Sequence, residues 1–177
     1  FDNNNKKYLD FSSGIAVNAL GYDHPLIKKL IKKQINTGIL HLSGSQMHKY
    51  KSSLSSKLSS LTNKGMVFFS NSGAESIEAA LKFAKIWGSK KNKNEIISMQ
   101  GSFHGRTLGA LSISSNKYYK TKVGKIPSQV KFCKFNDIND LKKIINPKKT
   151  LAIILECIHG DGAIYVCSKK FSTNIKK

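Results

Sequence analysis

VKFCKFNDINDLKKIINPKKTLAIILE, residues 130–156, consists of two short apolar runs separated by an amphipathic segment. The runs VKFCKF and TLAIILE predict buried strands, because each is brief, apolar and bounded by polar residues. The segment NDINDLKKIIN between them predicts a helix capped by Asn136 or Asp137. Strand, helix and strand in this order favour parallel strands joined by a crossover helix.

The same alternation extends upstream. MVFFS predicts a strand, AESIEAALKFAKIWG a helix, and NEIISMQ a further strand. Four strands alternating with helices predict an α/β domain with a largely parallel sheet.

The N-terminal part is patterned differently. YLDFSSGIAVNALGYDHP has strand-like apolar residues broken by Gly14 and Gly21, and helical spacing begins at Pro25 and stops at Gly38. Spacings of three and four predict a second amphipathic helix on Met47, Tyr50, Leu54, Leu58 and Leu61.

The composition restricts the class of protein. With 177 residues and 40% apolar content, the chain is long and apolar enough to form a globular core. Its apolar runs are too short to span a bilayer, and three scattered cysteines favour a reducing cytoplasm over a disulfide framework. The start at Phe1 and the end in FSTNIKK suggest a fragment.

A net charge of +20 raises the alternative of a basic nucleic-acid-binding module. Against it, the lysines lie in pairs on predicted helix faces, as in LIKKLIKKQ, and aromatic residues are not interleaved with them. We therefore predict no specific nucleic-acid binding and no membrane association.

Three loops follow predicted strands, at residues 70–75, 101–107 and 156–162. Ligands of open α/β sheets bind beyond the carboxyl ends of the strands, so these loops are the candidate site. In the first, SNSGAE, the N–H groups of Gly73 and Ala74 could bind a phosphate at a helix N-terminus. The alternative is an ordinary helix start, capped by Asn71 or Ser72, with Glu75 in the first turn.

The second loop, GSFHGRT, contains Arg106, the only arginine of the chain. A guanidinium binds a carboxylate through two parallel hydrogen bonds, which a lysine cannot reproduce. Phe103 could stack on a flat cofactor ring. The alternative is a tight turn in which Phe103 packs in the core, Arg106 pairs with a structural acid, and His104 is a structural residue.

The third loop, in LECIHGDG, offers the carboxylates of Glu156 and Asp161 to a cofactor or a substrate amine. A metal site is the weaker interpretation, because Cys157, His159 and Asp161 alternate without a second group of ligands. We predict no metal.

Four stretches in this order resemble the class III pyridoxal-phosphate-dependent aminotransferases, and most closely the acetylornithine aminotransferases: YLDFSSGIAVNALGYDHP, FFSNSGAESIEAALKFAK, GSFHGRTLGALS and AIILECIHGDGAIYV. The resemblance implies a fold-type-I transferase that acts as a homodimer. Residues 1–44 would contribute to a small domain, and residues 45–177 would form the first part of the large cofactor-binding domain.

The resemblance also implies roles for individual residues. Gly73 and Ala74 would bind the phosphate of pyridoxal phosphate, Phe103 would stack on its ring, and Arg106 would hold the substrate carboxylate. The other residues expected at the cofactor are Ser72, His104 and Glu156. The family's Schiff-base lysine is expected beyond Lys177, so the fragment would contain no catalytic residue and be inactive alone.

The implied reaction moves an amino group between N-acetylornithine and 2-oxoglutarate in arginine biosynthesis, with ornithine, succinyl-diaminopimelate or 4-aminobutyrate as alternative donors. The third loop departs from the family pattern Glu-Pro-Ile-Gln-Gly-Glu-Gly-Gly. Glu156 is kept. The residues that differ from the pattern are Cys157, His159, Asp161 and Ala163. No role is predicted for His159, and the shorter Asp161 weakens the case for a carboxylate contact there.

Overall fold

The computed structural model of the chain describes residues 1–43, 46, 48–62, 64–124, 126, 129–161 and 164–175. The predictions at Met47 and Ala163 lie outside the described residues. The chain divides into two compact units, Phe1–Val67 and Phe68–Lys177. The predicted domain boundary after residue 44 stays a prediction.

The described elements are mostly short. The helices are α1 (Ser13–Ala16), α2 (Pro25–Asn36), α3 (Lys49–Leu61), α4 (Gly73–Ser89), α5 (Leu108–Ile113), α6 (Tyr118–Thr121), α7 (Ile138–Ile144) and α8 (Lys169–Ile175). The strands are β1 (Glu95–Met99), β2 (Val130–Cys133), β3 (Thr150–Ile153), β4 (Ile158–His159) and β5 (Tyr165–Val166). No described helix combines the length and the apolar character needed to cross a membrane.

The second unit is built on a three-stranded parallel sheet in the order β2-β1-β3. This confirms the predicted strands around residues 94–100, 130–135 and 150–156 and the parallel sheet. Helix α7 begins after Asp137, whose carboxylate accepts the N–H groups of Asn139 and Asp140, so Asp137 rather than Asn136 is the cap.

Two apolar clusters hold this sheet in place. One contains Ile97, Met99 and Cys133, covered by Leu141 of α7 and Phe171 of α8. The other cluster joins α4 to the sheet. Its buried residues are Leu81, Ile96, Ile113 and Leu151. Helices therefore pack on the sheet, and the loops after β1 and β3 lie at the same edge because the strands are parallel.

The prediction of a first strand at MVFFS is wrong. Residues 66–70 are not in a strand, and Met66 and Phe68 are exposed. A strand needs a neighbour that pairs with its backbone groups, and the sheet is formed by β1, β2 and β3 alone within the described residues. The segment leads directly into α4.

The strand-like interpretation of the N-terminal stretch is also wrong. The carboxylate of Asp10 accepts the N–H groups of Ser12, Ser13 and Gly14 and the hydroxyl of Tyr22. These bonds hold the pKa of Asp10 well below its usual value, the Ser12 hydroxyl contributing most. Such local bonds compete with strand pairing, and the chain forms the single turn α1 instead.

The two N-terminal helices agree with the predictions. Pro25 occupies the first turn of α2, and Gly38 follows its end with a φ of +70°. Left-handed backbone after a helix is the usual place for glycine. None of the described residues of the first unit is buried, and α2 leaves Leu26, Leu30 and Ile31 exposed.

Candidate functional site

The start of α4 is a capped helix N-terminus. The Ser72 hydroxyl accepts the Glu75 N–H at 3.2 Å, and the Glu75 carboxylate accepts the Asn71 N–H at 2.6 Å. The predicted cap at Ser72, with Glu75 in the first turn, is confirmed. Gly73 and Ala74 are the first two residues of α4, where N–H groups have no acceptor inside the helix. The helix start thus has the donors and the dipole that attract anions.

The loop after β1 lies directly against this helix start. A Cβ built on Gly105 would be 2.9 Å from Cβ of Ala74 and 3.1 Å from Cβ of Ala110, and the φ of Gly105 is +128°. Only glycine combines that backbone conformation with so close an approach. Gly105 therefore allows the 101–107 loop to contact the first turn of α4.

The same loop also contacts the segment after β3. The Phe103 N–H donates to the Glu156 carboxylate at 3.3 Å. The Phe103 ring is half-buried, and the Tyr119 ring lies against it edge to face with centroids 6.0 Å apart. The three predicted loops thus meet at one place, although residues 70–75 reach it from an extended segment rather than from a strand.

Arg106 is exposed at this place. Its guanidinium carbon lies 4.7 Å above the centre of the Tyr119 ring, a cation–π contact. Arg106 forms no ion pair with a described carboxylate, so the alternative of a structural acid partner finds no support in that part of the chain. Its hydrogen-bonding groups remain available to a ligand.

His104 points into the protein. The residue is 7% exposed. Its backbone N–H donates to the Ser114 hydroxyl at 2.9 Å, and Nε2 of its ring lies 3.5 Å from the Ser98 hydroxyl. Burial, with a smaller effect of the nearby His159, lowers the pKa of His104 to about 4. The imidazole is therefore neutral at physiological pH.

His159 is buried beside Phe135 and Glu156. It is 2% exposed, and its ring stacks on Phe135 with centroids 3.9 Å apart. Nε2 lies 3.5 Å from the Glu156 carboxylate and forms no hydrogen bond with the described residues. Cys157 and Asp161 are exposed whereas His159 is buried, so the three alternating residues do not converge on one point.

A groove of the second unit is lined in part by Ser70, Asn71 and Glu75 of the first loop. It has a volume of about 1180 Å³ and extends along the side of α4, where Phe68, Lys82, Ile96 and Val130 are among its lining residues. The lining does not include Gly73, Phe103 or Arg106. The described residues of the second and third loops, 101–107 and 156–162, thus lie outside this groove.

Comparisons with known proteins agree with the geometry. The family profile described as Aminotransferase class-III matches residues 1–177, the whole chain. The chain belongs to the class-III aminotransferase family. It is 39% identical to the acetylornithine aminotransferase, mitochondrial, of Debaryomyces hansenii, over 100% of this chain and 40% of that protein. It is 38% identical to an acetylornithine/succinyldiaminopimelate aminotransferase of Buchnera aphidicola, over 100% of this chain and 44% of that protein.

Solved structures of transaminases have the same fold. The taurine:2-oxoglutarate aminotransferase of Bifidobacterium kashiwanohense, solved in complex with PLP and glutamate, has a TM-score of 0.85 at 25% identity. That comparison covers 99% of this chain and 44% of the other. The chain thus spans less than half the length of these class-III relatives, and the predicted fold-type-I architecture is confirmed over that span.

Two residues beside the candidate site were not predicted from the sequence. Glu78 of α4 accepts the N–H groups of Gly109 and Ala110 at 2.9 and 3.2 Å, and so caps α5 from another helix. Tyr119 contacts both Phe103 and Arg106. Neither position has a local signal, because each acts on residues that are distant in sequence.

Proposed function

We propose that the complete protein containing this chain is an aminotransferase that uses pyridoxal phosphate to move an amino group between N-acetylornithine and 2-oxoglutarate. The observation that carries the proposal is the convergence of three loops, with Gly105 against Ala74 and the Phe103 N–H on Glu156, in a chain of the class-III family. The names of the D. hansenii and B. aphidicola relatives support N-acetylornithine as the donor.

The start of α4 fits the phosphate of this cofactor. A Cβ built on Gly73 meets nothing within 4 Å, so the space before the helix is open to a ligand. We assign the phosphate to the N–H groups of Gly73 and Ala74, with the Ser72 hydroxyl beside them. Helix dipole and free donors would both stabilise the dianion.

Phe103 and Glu156 are proposed to hold the ring of the cofactor. The cofactor supplies an electron sink for the carbon that gains or loses the amino group. The Phe103 ring is half-buried and offers one face, and its backbone is held by the Glu156 carboxylate. The predicted contact of His104 with the cofactor stays a prediction, since its imidazole lies against Ser98.

Arg106 is proposed to bind the substrate's α-carboxylate. The Tyr119 ring supports one face of the guanidinium, which restricts its rotation and leaves its N–H edge available. A planar fork of donors matches a carboxylate, and a lysine would offer a single point charge. This would explain why the single arginine of a lysine-rich chain lies at this position.

Several parts of the proposal concern the complete protein. They are a homodimer, a cytoplasmic location, a small domain that includes residues 1–44, and a Schiff-base lysine beyond Lys177. On this proposal residues 1–177 have no transaminase activity alone. Purification of this segment with added pyridoxal phosphate tests that point, and turnover of N-acetylornithine by it would contradict our placement of the catalytic lysine.

The donor is tested by comparing kcat/KM of the complete gene product for N-acetylornithine, ornithine, succinyl-diaminopimelate and 4-aminobutyrate, each with 2-oxoglutarate. We expect the highest value for N-acetylornithine, and a higher value for any other donor would reassign the substrate. A DNA-binding titration at several salt concentrations tests the rival function. A steep salt dependence with a preferred sequence, and no transamination, would favour the nucleic-acid-binding module.

A further inference from the structure

Cys157 and Cys167 flank the β4–β5 hairpin. In the hairpin Ile158 pairs with Val166 and His159 pairs with Tyr165, in antiparallel register. The next pair outward is therefore Cys157 opposite Cys167. A backbone hydrogen bond confirms the pairing, because the Cys167 N–H donates to the Cys157 carbonyl at 2.8 Å.

Directly opposite residues in an antiparallel pair extend their side chains from the same face. Because Cys157 and Cys167 form a hydrogen-bonded pair, their Cα atoms are about 5.5 Å apart, and their Cβ atoms are about 4.5–5.5 Å apart. A disulfide spans Cα atoms about 4.4–6.8 Å apart and Cβ atoms about 3.5–4.5 Å apart. The Cα spacing therefore suits a bridge, and a backbone shift of about 1 Å brings the Cβ atoms into range. Cys157 is exposed and Cys167 is partly exposed, so a soluble oxidant reaches at least the first thiol.

We propose that Cys157 and Cys167 form a redox modification site, which closes to an intrachain disulfide on reaction with a small-molecule disulfide such as oxidised glutathione. The proposal does not depend on the donor or on the cofactor of the proposed aminotransferase. In a reducing cytoplasm the dithiol would be the resting form, and the bridge would form under oxidative conditions.

The reaction balances as two exchange steps. The Cys157 thiolate attacks a sulfur of oxidised glutathione, whose S–S bond breaks, and one glutathione leaves with the electron pair. The Cys167 thiolate then attacks Sγ of Cys157 and displaces the second glutathione. Two cysteine thiols are oxidised, one glutathione disulfide is reduced to two thiols, and both protons pass to the departing glutathione sulfurs.

The two thiols have different roles in this scheme. Burial, and then the proximity of Cys157, raises the pKa of the Cys167 thiol. The exposed Cys157 is therefore the first to react, and Cys167 closes the bridge. Because only the thiolate attacks, closure should accelerate about tenfold per pH unit below the pKa of Cys167.

The third cysteine serves as an internal control. Cys133 is fully buried in the core, and burial raises the pKa of its thiol to about 12. It should stay reduced in the folded chain. Trypsin separates it from the other two, since residues 150–169 contain Cys157 and Cys167 without an internal lysine or arginine.

The test treats the 177-residue chain with oxidised glutathione, quenches with acid, alkylates the remaining thiols in denaturant and analyses the tryptic peptides by mass spectrometry. We expect the 150–169 peptide to lose two hydrogens and to carry no alkyl group, while Cys133 is alkylated. Cys157→Ser and Cys167→Ser should each retain at most one glutathione adduct. Two stable glutathione adducts on the wild-type peptide, or a bridge to Cys133, would overturn the proposal.

A second measurement separates a prealigned pair from two cysteines that are merely close in sequence. The ratio of reduced to oxidised glutathione that gives half bridging is determined in buffer and in concentrated urea. The hairpin holds the thiols opposite each other in buffer but not in urea. The ratio of reduced to oxidised glutathione at half bridging should therefore be several-fold higher in buffer than in urea. Equal ratios in the two conditions would show that the hairpin does not align the pair.

Discussion

The Thr107 hydroxyl donates a 2.6 Å hydrogen bond to Oε1 of Glu78, twenty-nine residues earlier in the chain. The same oxygen accepts the N–H groups of Gly109 and Ala110, so one carboxylate caps α5 and ties it to α4. Arg106 directly precedes Thr107. The position of the proposed carboxylate-binding residue therefore depends on a side chain of a different helix.

We predict that Glu78→Gln loosens α5 without unfolding the sheet. Loss of the charged acceptor should cost about 1–2 kcal/mol, the range of a lost helix cap. Hydrogen exchange should accelerate at Gly109 and Ala110 and stay unchanged in β1. Thr107→Val is the matched control, since it removes one of the three donors. A double-mutant cycle in which the two changes are additive would show that the Glu78–Thr107 bond contributes nothing.

The same bond network predicts a pH dependence. Hydrogen bonding, first from the Thr107 hydroxyl, lowers the pKa of Glu78 below its ordinary value of 4.5. The ionised form is thus favoured in the folded state, and its contribution is fully present above pH 4.5. As the pH falls from 4.5 through the lowered pKa, the cap should be lost, and exchange at Ala110 should accelerate in wild type but not in Glu78→Gln.

The parallel sheet could be predicted because each strand and its crossover helix are encoded locally. Val130 and Leu151 belong to short apolar runs, and the helix cap was predicted at Asn136 or Asp137, of which the structure has Asp137. The failure at Met66–Ser70 has the opposite cause. An apolar run is a strand only if another backbone pairs with it, and that pairing is not encoded in the run.

The candidate site could be predicted only in part, for the same reason. Loops beyond parallel strands converge by topology, which brought Phe103 close to Glu156. Contacts between elements distant in sequence, such as Glu78 with Gly109, have no periodicity or spacing that indicates them. The β4–β5 hairpin was missed because strands of two residues are too short for an alternating pattern.

The buried imidazole of His104 should make the chain acid-sensitive. Its pKa is lowered to about 4 by burial, whereas an unfolded histidine titrates near 6.5. Between these values the unfolded state binds the proton and the folded state does not, so stability falls as the pH decreases from 6.5 to about 4. The loss is roughly 1.4 kcal/mol per pH unit from this group.

Urea unfolding at several pH values tests this prediction in wild type and in His104→Gln. Because the substitution also changes the absolute stability, the slope of the unfolding free energy against pH is the quantity to compare. We expect a shallower slope between pH 6.5 and 4 in His104→Gln. Identical slopes would mean that His104 is protonated in the folded chain.

Substitutions at Gly105 and at Gly73 should affect different properties of the protein. Gly105→Ala places a Cβ 2.9 Å from Ala74 at a φ of +128°, so it should destabilise the folded chain by about 1–3 kcal/mol. Gly73→Val meets only open space, so it should leave the apo form stable and reduce pyridoxal phosphate retention in the complete protein. An apo form of Gly73→Val that unfolds while the affinity for the cofactor is intact would remove Gly73 from the site.

Arg106→Lys should lower kcat/KM of the complete protein for the amino donor and raise its KM. Loss of one charge-assisted bond of the fork costs about 1.5–3 kcal/mol, or roughly 10- to 100-fold in kcat/KM. Tyr119→Leu keeps the arginine but removes the ring 4.7 Å from it, so a smaller loss of about 0.5–1 kcal/mol is expected. Lys122→Gln removes an exposed charge three residues after Tyr119 and should change neither constant. If Arg106→Lys leaves kcat/KM unchanged for both substrates, or Lys122→Gln lowers it equally, the guanidinium is not the carboxylate-binding group.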